Sequence, residues 1–394
     1  MPPSINDCSS TQIDDTNFTI NFVISKIKAT GVSDPLISVD NLQNFTFKKL
    51  SVGEAFMSEI VRIDFEWRKP CQLNSIVLKI PGFQNPADDQ DFDNATRFLE
   101  KAHTRECDFY KLFSTPVFPL KLPKFYYGHE YDQRNKDGLM IIEDLSHESA
   151  TTRMLPGFTN AQVESLIRGL AEIHTVSWMD RSWIETIAEE LHNPDRFLED
   201  YWQAAQSLRS IKPEWFDNLL DDLKPAFDIT QYKFCSYPGS LFDVPACIVH
   251  SDLWAANVLW ERDSDGKTTD KLTAIIDWQM SHSGNPCADI ARSLSLNTSA
   301  KYRRENTRRL LKLYYDNVQD LMGKSTPFTF EQLTRLYKVS LPYVSAFAGF
   351  GTPCYYKMNS VVGKPLNVDL QNELLHRARC FFEDTIEAMR ETQR

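Results

Sequence analysis

No apolar run in this 394-residue chain approaches the ~20 residues that span a bilayer, so no membrane span is expected. Residues 1–16 are polar and lack the apolar core of a signal peptide. Cysteine is sparse and scattered, with eight residues at 8, 71, 107, 235, 247, 287, 354 and 380 and no Cys-x-x-Cys pair. That scatter argues against a zinc site or a dense disulfide scaffold, and it predicts reduced thiols in a cytoplasmic protein. Positive charge is in deficit: 43 Lys and Arg stand against 54 Asp and Glu, a formal net charge of −11. No basic run stands out, so nucleic acid is not an expected partner. Internal repeats and low-complexity tracts are lacking too.

What is present is apolar bulk, 42% of the chain, enough for a large core and for more than one domain of ordinary size. The pattern densest in chemistry runs from Ile248 to Asp277. It reads Ile-Val-His250-Ser-Asp252-Leu-Trp-Ala-Ala-Asn257-Val-Leu-Trp260, then a polar turn with Asp-Gly at 265 and 266, then Leu-Thr-Ala-Ile-Ile-Asp277. Two short apolar runs around such a turn predict a hairpin, which would gather Asp252, Asn257 and Asp277. A carboxylate ending an apolar strand is costly unless it is paired or binds a metal. Phosphoryl transfer from ATP needs a base beside the attacking hydroxyl and oxygen ligands for Mg²⁺. Asp252 fits the base, and Asn257 and Asp277 offer the hard oxygen donors that Mg²⁺ prefers. His250 is expected to orient the loop. The bland alternative is a polar surface turn.

In the first third, Phe45 to Leu50 and Glu59 to Phe65 read as strands around Ser51-Val-Gly53-Glu-Ala-Phe56-Met-Ser58. Leu73 to Ile80 reads as a buried strand with Lys79 near its end. Asp93 to Phe113 reads as a helix with Phe98, Ala102, Phe109 and Phe113 on one face. Glu106 falls on that face, where a carboxylate wants a cation, and Lys79 is the candidate. An edge lysine in solvent and a snorkelling glutamate are the alternatives. Leu122 to Tyr127 and Leu139 to Ile142 read as further strands. Phe18 to Ile27 has apolar spacing compatible with either helix or strand.

His-x-Asp-x-x-x-x-Asn, a following Ile-Asp277-Trp and a nearby Asp289-Ile-Ala together resemble aminoglycoside phosphotransferases and choline kinases. The fuller string is most similar to the choline-kinase-like (CHK), ecdysteroid-kinase-like family. The likeness runs over roughly residues 45 to 350. The chain departs from protein kinases: Ser251 stands where they carry Arg, Trp254 where they often carry Lys, and Trp278-Gln279 where they carry Phe-Gly. Only eleven residues, Trp278 to Ala288, separate Asp277 from Asp289, too few for a protein-kinase activation segment.

The resemblance implies an α+β, two-lobed protein-kinase-like fold. A small antiparallel-sheet lobe would span 1–144, its first 45 residues a family-specific extension, and a large, mainly helical lobe would span 145–394. The resemblance also implies a phosphate flap carrying Gly53 and Ser58, a Lys79–Glu106 pair gripping the nucleotide, and a hinge at Glu143 to Leu145 meeting adenine through its backbone. Asp289 would brace the catalytic loop; its plain reading is a helix cap, and both can hold together.

Thr159-x-x-Gln162 and Thr329-x-x-Gln332 are capping boxes that open helices, and Val163, Leu166, Ile167, Leu170, Ile173 and Ser177 form one stripe. His174 on that stripe reads as a satisfied core histidine. Leu341 to Tyr356 is aromatic and punctuated by Gly and Pro. It would wall an apolar acceptor pocket or form a core helix with a loop. With no acidic cluster to mark a cation site, the expected reaction is ATP- and Mg²⁺-dependent phosphorylation of a small, partly lipophilic alcohol, steroid- or choline-like. The alternative is a catalytically silent kinase-like binding protein.

Overall fold

A computed structural model of the chain describes residues 12–13, 16–31, 34–50, 57–82, 92–114, 118–131, 138–187, 194–236 and 243–392. The chain divides into two compact units, one of residues 1–114 with 122–147, the other of 115–121 with 148–394.

Among the described residues, the first unit is an antiparallel sheet with two α-helices. Strands β1 (Leu42–Lys49), β2 (Ser58–Trp67), β3 (Ser75–Pro81), β4 (Phe125–His129) and β5 (Leu139–Glu143) lie in the order β1-β2-β3-β5-β4. The segment with undecided spacing is helical: α1 (Ile20–Ala29) is capped by the Thr19 hydroxyl. Ile20, Val23, Ile24 and Ile27 of α1 join Val61, Ile63, Ile76, Leu78 and Ile141 of the sheet in one core. This i, i+3, i+4, i+7 spacing decides for helix. Helix α2 (Phe92–Phe113) turns a slightly different face inward than the phenylalanines suggest. Leu99, Ala102, Cys107, Phe109 and Tyr110 are buried together with His103 and Glu106, while Phe98 and Phe113 are half-buried. The strand expected to end at Tyr127 runs to His129. His129 is held there because its carbonyl accepts the His103 Nε2–H at 2.7 Å. Gly53 lies outside the described residues.

The second unit is built on helices, with two small sheets. Helix α3 (Asn160–Met179) starts at the Thr159/Gln162 capping box and buries the whole stripe read from sequence. Helices α4 (Pro194–Ile211), α5 (Pro213–Leu223) and α6 (Ile229–Ser236) follow. Next come β7 (Cys247–Val249), β8 (Val258–Arg262), β9 (Thr268–Ile275), β10 (His282–Gly284) and α7 (Pro286–Ser295). The hairpin is β8–β9, joined at its edge by β6 (Ser149–Ala150). Ile248 and Val249 do not belong to it: β7 pairs with β10. Helices α8 (Ala300–Met322), α9 (Phe330–Tyr355), α10 (Asn359–Val362) and α11 (Val368–Thr392) complete the unit. The stretch 341–356, read as a pocket wall or as a core helix with a loop, is helical to Tyr355 within α9, with Pro342 and Pro353 inside it. It packs against α4, α6, α7 and α11. Burial on so many sides outweighs the cost of two prolines, which at an exposed position would end a helix. The seven cysteines within the described residues are all free. Among those residues no helix is long and apolar enough to cross a membrane.

Candidate active site

In the second unit the chain leaves β7 at Val249 and enters a tight loop fixed from below by one carboxylate. Asp289, on the first turn of α7, is buried. Its Oδ2 accepts the His250 amide and its Oδ1 the Ser251 amide, each at 2.8 Å. Two parallel N–H bonds to one carboxylate clamp the backbone, and they let Ser251 sit at φ 69°, a left-handed conformation that few non-glycine residues adopt. Burial alone would raise the Asp289 carboxyl, but neighbouring His174, His250 and the amide bond hold it below its ordinary value. The helix-cap reading fails, since the cap of α7 is Asn285, whose side chain accepts the Cys287 amide. His174 is a buried core histidine with a second task. Its Nδ1 meets the Tyr314 hydroxyl at 2.7 Å, and its Nε2 lies 3.5 Å from Asp289 Oδ2.

His250 spans the loop. Its Nδ1 accepts the Asp252 amide at 3.1 Å and its Nε2–H donates to the Ile276 carbonyl at 2.9 Å. Both ring nitrogens are thus committed, which fixes the tautomer and leaves His250 no role on a ligand. The Trp278 ring packs edge-on against it at 4.7 Å.

Asn257 closes the loop. Its Nδ2 donates to the Asp252 carbonyl at 2.9 Å, so its amide oxygen is turned the other way. The Ile276 amide donates to the Asn257 carbonyl at 3.0 Å, just beyond the Val258–Ile275 pair of the hairpin. The ladder ends there, so Asp277 follows directly on Ile276, the residue bonded to Asn257. Asp277 has φ 66° and opens the short turn Trp278–Met280. Of the three non-glycine residues with positive φ among the described residues, two are Ser251 and Asp277. Strain of this kind persists only where surroundings enforce it, and it concentrates at functional sites.

Asp252 has a partner that sequence reasoning missed. Arg292, one turn after Asp289 on α7, is 2% exposed, and its Nη2 donates to Asp252 Oδ1 at 3.0 Å and to the Tyr355 hydroxyl at 3.2 Å. Burial pushes the Tyr355 phenol up to about 12, so it stays neutral and can accept that bond. The only signal was the i, i+3 spacing of Asp289 and Arg292, which sets both on one side of α7. Nothing in the chain order announces Tyr355.

In the first unit, Lys79 Nζ lies 2.6 Å from Glu106 Oε2, and both are buried. The pair ties β3 to α2. At the end of β5, Asp144 is more engaged than its neighbours. It accepts the Ser75 hydroxyl at 2.7 Å and the Ser146 amide at 2.9 Å, and pairs with Arg62 at 2.9 Å. Those contacts outweigh burial and keep its carboxyl low. They anchor the segment that begins at Glu143, whose side chain accepts the Lys124 amide at 3.0 Å, and ends at buried Leu145. Ser58 spends its hydroxyl on the Met57 carbonyl.

The donor set suits a hard cation shared with phosphate oxygens. Among the described residues no three His, Cys, Asp or Glu side chains gather into a cage of their own, whereas Mg²⁺ is commonly held by one or two carboxylates with phosphates supplying the rest.

The family model DUF1679, described as "Uncharacterized oxidoreductase dhs-27", matches residues 42–393. The uncharacterized kinase-like protein D1044.1 of Caenorhabditis elegans is 30% identical over 364 residues, 87% of this chain and 92% of that protein. The uncharacterized oxidoreductase dhs-27 of the same organism is 23% identical over 342 residues. Those cover 77% of this chain but only 39% of that protein. All described strand pairs here are antiparallel, unlike the parallel sheet of dinucleotide-binding folds. Choline kinase from Cryptosporidium parvum superposes with a TM-score of 0.51 at 12% identity, over 93% of this chain and 95% of that one. The chain belongs to the DUF1679 family, and it has the kinase-like fold.

Proposed function

We propose that this chain is an ATP- and Mg²⁺-dependent phosphotransferase acting on the hydroxyl of a small alcohol. The observation that carries the reading is the end of the β8–β9 hairpin. There Asn257 and Asp277 flank the last ladder bond, from the Ile276 amide to the Asn257 carbonyl, and Asp252 is tied to Asn257 through its carbonyl. Asp252 takes the acceptor's hydroxyl hydrogen bond and receives its proton. Asn257 Oδ1 and the Asp277 carboxylate hold Mg²⁺, which when bound neutralises phosphate charge. His250 and Asp289 keep the loop in shape. In the first unit, Lys79 meets the nucleotide phosphates and Glu106 positions it. The backbone of Glu143 to Leu145 meets the base. In such a reaction the protein contributes mainly positioning and electrostatics, which suits side chains this tightly cross-braced.

The acceptor we propose is partly apolar. Trp254 stacks on Tyr355 at 5.2 Å, and Tyr201 on Phe350 at 4.4 Å. Burying an apolar ligand against such rings contributes on the order of 25 cal/mol per Å². The free thiols fit a cytoplasmic setting. An ATP-consumption screen against a metabolite library, with mass spectrometry of the products, tests the reading. The expected result is a phosphorylated small alcohol and no label on generic protein substrates. Robust protein labelling without a small product would overturn it.

A further inference from the structure

We propose that Arg292 sets the charge of the acceptor: its buried guanidinium neutralises Asp252, so the site takes uncharged or acidic alcohols and rejects cationic ones. The inference rests on reading Asp252 as the acceptor-facing carboxylate and adds a specificity-determining residue to it.

Aromatic rings beside a carboxylate ordinarily suit a quaternary ammonium group. Here the rings are present. Trp254 and Tyr355 stack at an interplanar angle of 19°, and Tyr201 and Phe350 at 14°. Asp252, Trp254 and Phe350 are only partly buried, so a ligand can reach them, while Tyr201, Tyr355 and Arg292 lie behind them. Tyr201 shares the electrostatic surroundings of Asp252, Tyr355 and Arg292.

A cation already stands among these groups, and it belongs to the chain. Arg292 has one carboxylate partner among the described residues, Asp252, at 3.0 Å. That single negative charge is therefore spent on the guanidinium. The remaining capacity is positive. Arg292 Nε and Nη1 are buried and have no hydrogen-bond partner. A buried guanidinium using one of its three nitrogens leaves donors in surplus and acceptors in deficit. An incoming ammonium would find the Asp252 charge already neutralised by the guanidinium and would meet only surplus N–H donors, with little water to screen them. A hydroxyl on a neutral or acidic skeleton meets no such opposition, and an acidic group would find a complement.

Choline and 3,3-dimethylbutan-1-ol have nearly the same shape and differ in charge, so they isolate this effect. Binding of each is measured by saturation-transfer NMR on the full chain with MgADP, in wild type, Arg292→Lys and Arg292→Met. Wild type and Arg292→Lys are expected to prefer the neutral alcohol by at least about tenfold, a difference near 1.4 kcal/mol, and Arg292→Met to lose most of that preference. Choline bound as well as the neutral isostere by wild type, equal signals including none from either, or an unchanged preference in Arg292→Met would overturn the inference. The wild-type comparison stands even if Arg292→Met fails to fold. MgADP binding is measured first. Its absence in wild type removes the phosphotransferase reading, whereas retained MgADP binding with choline preferred removes only the role of Arg292.

Discussion

Arg292 changes what a substitution at Asp252 reports. Asp252→Asn is the obvious probe of a base, and turnover is expected to fall by roughly 10²–10⁴. Yet the Asp252 side chain is 26% exposed and its partner only 2%, so the variant also leaves a buried guanidinium without its counter-charge. Breaking such a pair from one side costs about 3–5 kcal/mol when both partners are buried, and the partial exposure of Asp252 brings this to about 2 kcal/mol. Denaturant melts are expected to show that loss in Asp252→Asn and to recover most of it in the double variant with Arg292→Met, while turnover stays low. Normal turnover in Asp252→Asn would remove it as the base. A second residue bears on pH. His103 on α2 is buried, which lowers its imidazole to about 4, with Lys79 also lowering it and the His129 carbonyl opposing. The unfolded chain binds that proton near pH 6.5, above the folded value. Stability is therefore complete above about 6.5 and falls as pH drops toward 4, by about 3 kcal/mol in total. Melts of wild type and His103→Gln at pH 7 and 4.5 check it; an equal acid loss in both would assign the effect elsewhere.

Elements were legible in sequence where their cause is local. The Thr159 and Thr329 caps each need only four residues, and both boxes form. The β8–β9 turn needs only its Asp-Gly, and the hairpin stands where the turn puts it. What could not be read depends on contacts distant in the chain. Cys247–Val249 could equally have continued the hairpin; it pairs with β10 because the Asp289 clamp turns the chain at His250. Helix α9 survives two prolines because its neighbours bury it. Arg292 meets Asp252 across 40 residues and the Tyr355 hydroxyl, on another helix, across 63, and no short window of sequence contains all three. Two variants test the elements. Glu106→Gln removes the carboxylate that holds buried Lys79 to α2, and it is expected to cost on the order of 3 kcal/mol by denaturant melt; a change within 0.5 kcal/mol, about that of a surface substitution, would contradict it. Gly157 has φ 113°, and a Cβ there would lie 2.4 Å from the Asn297 carbonyl oxygen. Gly157→Ala is therefore expected to lose at least about 1–3 kcal/mol of stability.

At the scale of the whole molecule, the chain keeps its polar groups in two sets. Lys79, Glu106 and Asp144 lie in the antiparallel unit, and Asp252, Asn257, Asp277, Asp289 and Arg292 in the helical unit. Under the proposed function, the net charge of −11 means that nucleotide phosphate would be met by a few placed cations and a metal rather than by a general positive field. That makes the metal ligands the sharpest point of the account, and they can be examined without knowing the acceptor. The measurement is calorimetric titration of ATP into wild type and Asp277→Ala, with Mg²⁺ and with chelator. Wild type is expected to bind ATP more tightly with Mg²⁺, and Asp277→Ala to bind equally with and without it. The same Mg²⁺-dependent strengthening in both proteins, or no ATP binding by wild type, would contradict the assignment of this hairpin as a metal–nucleotide site.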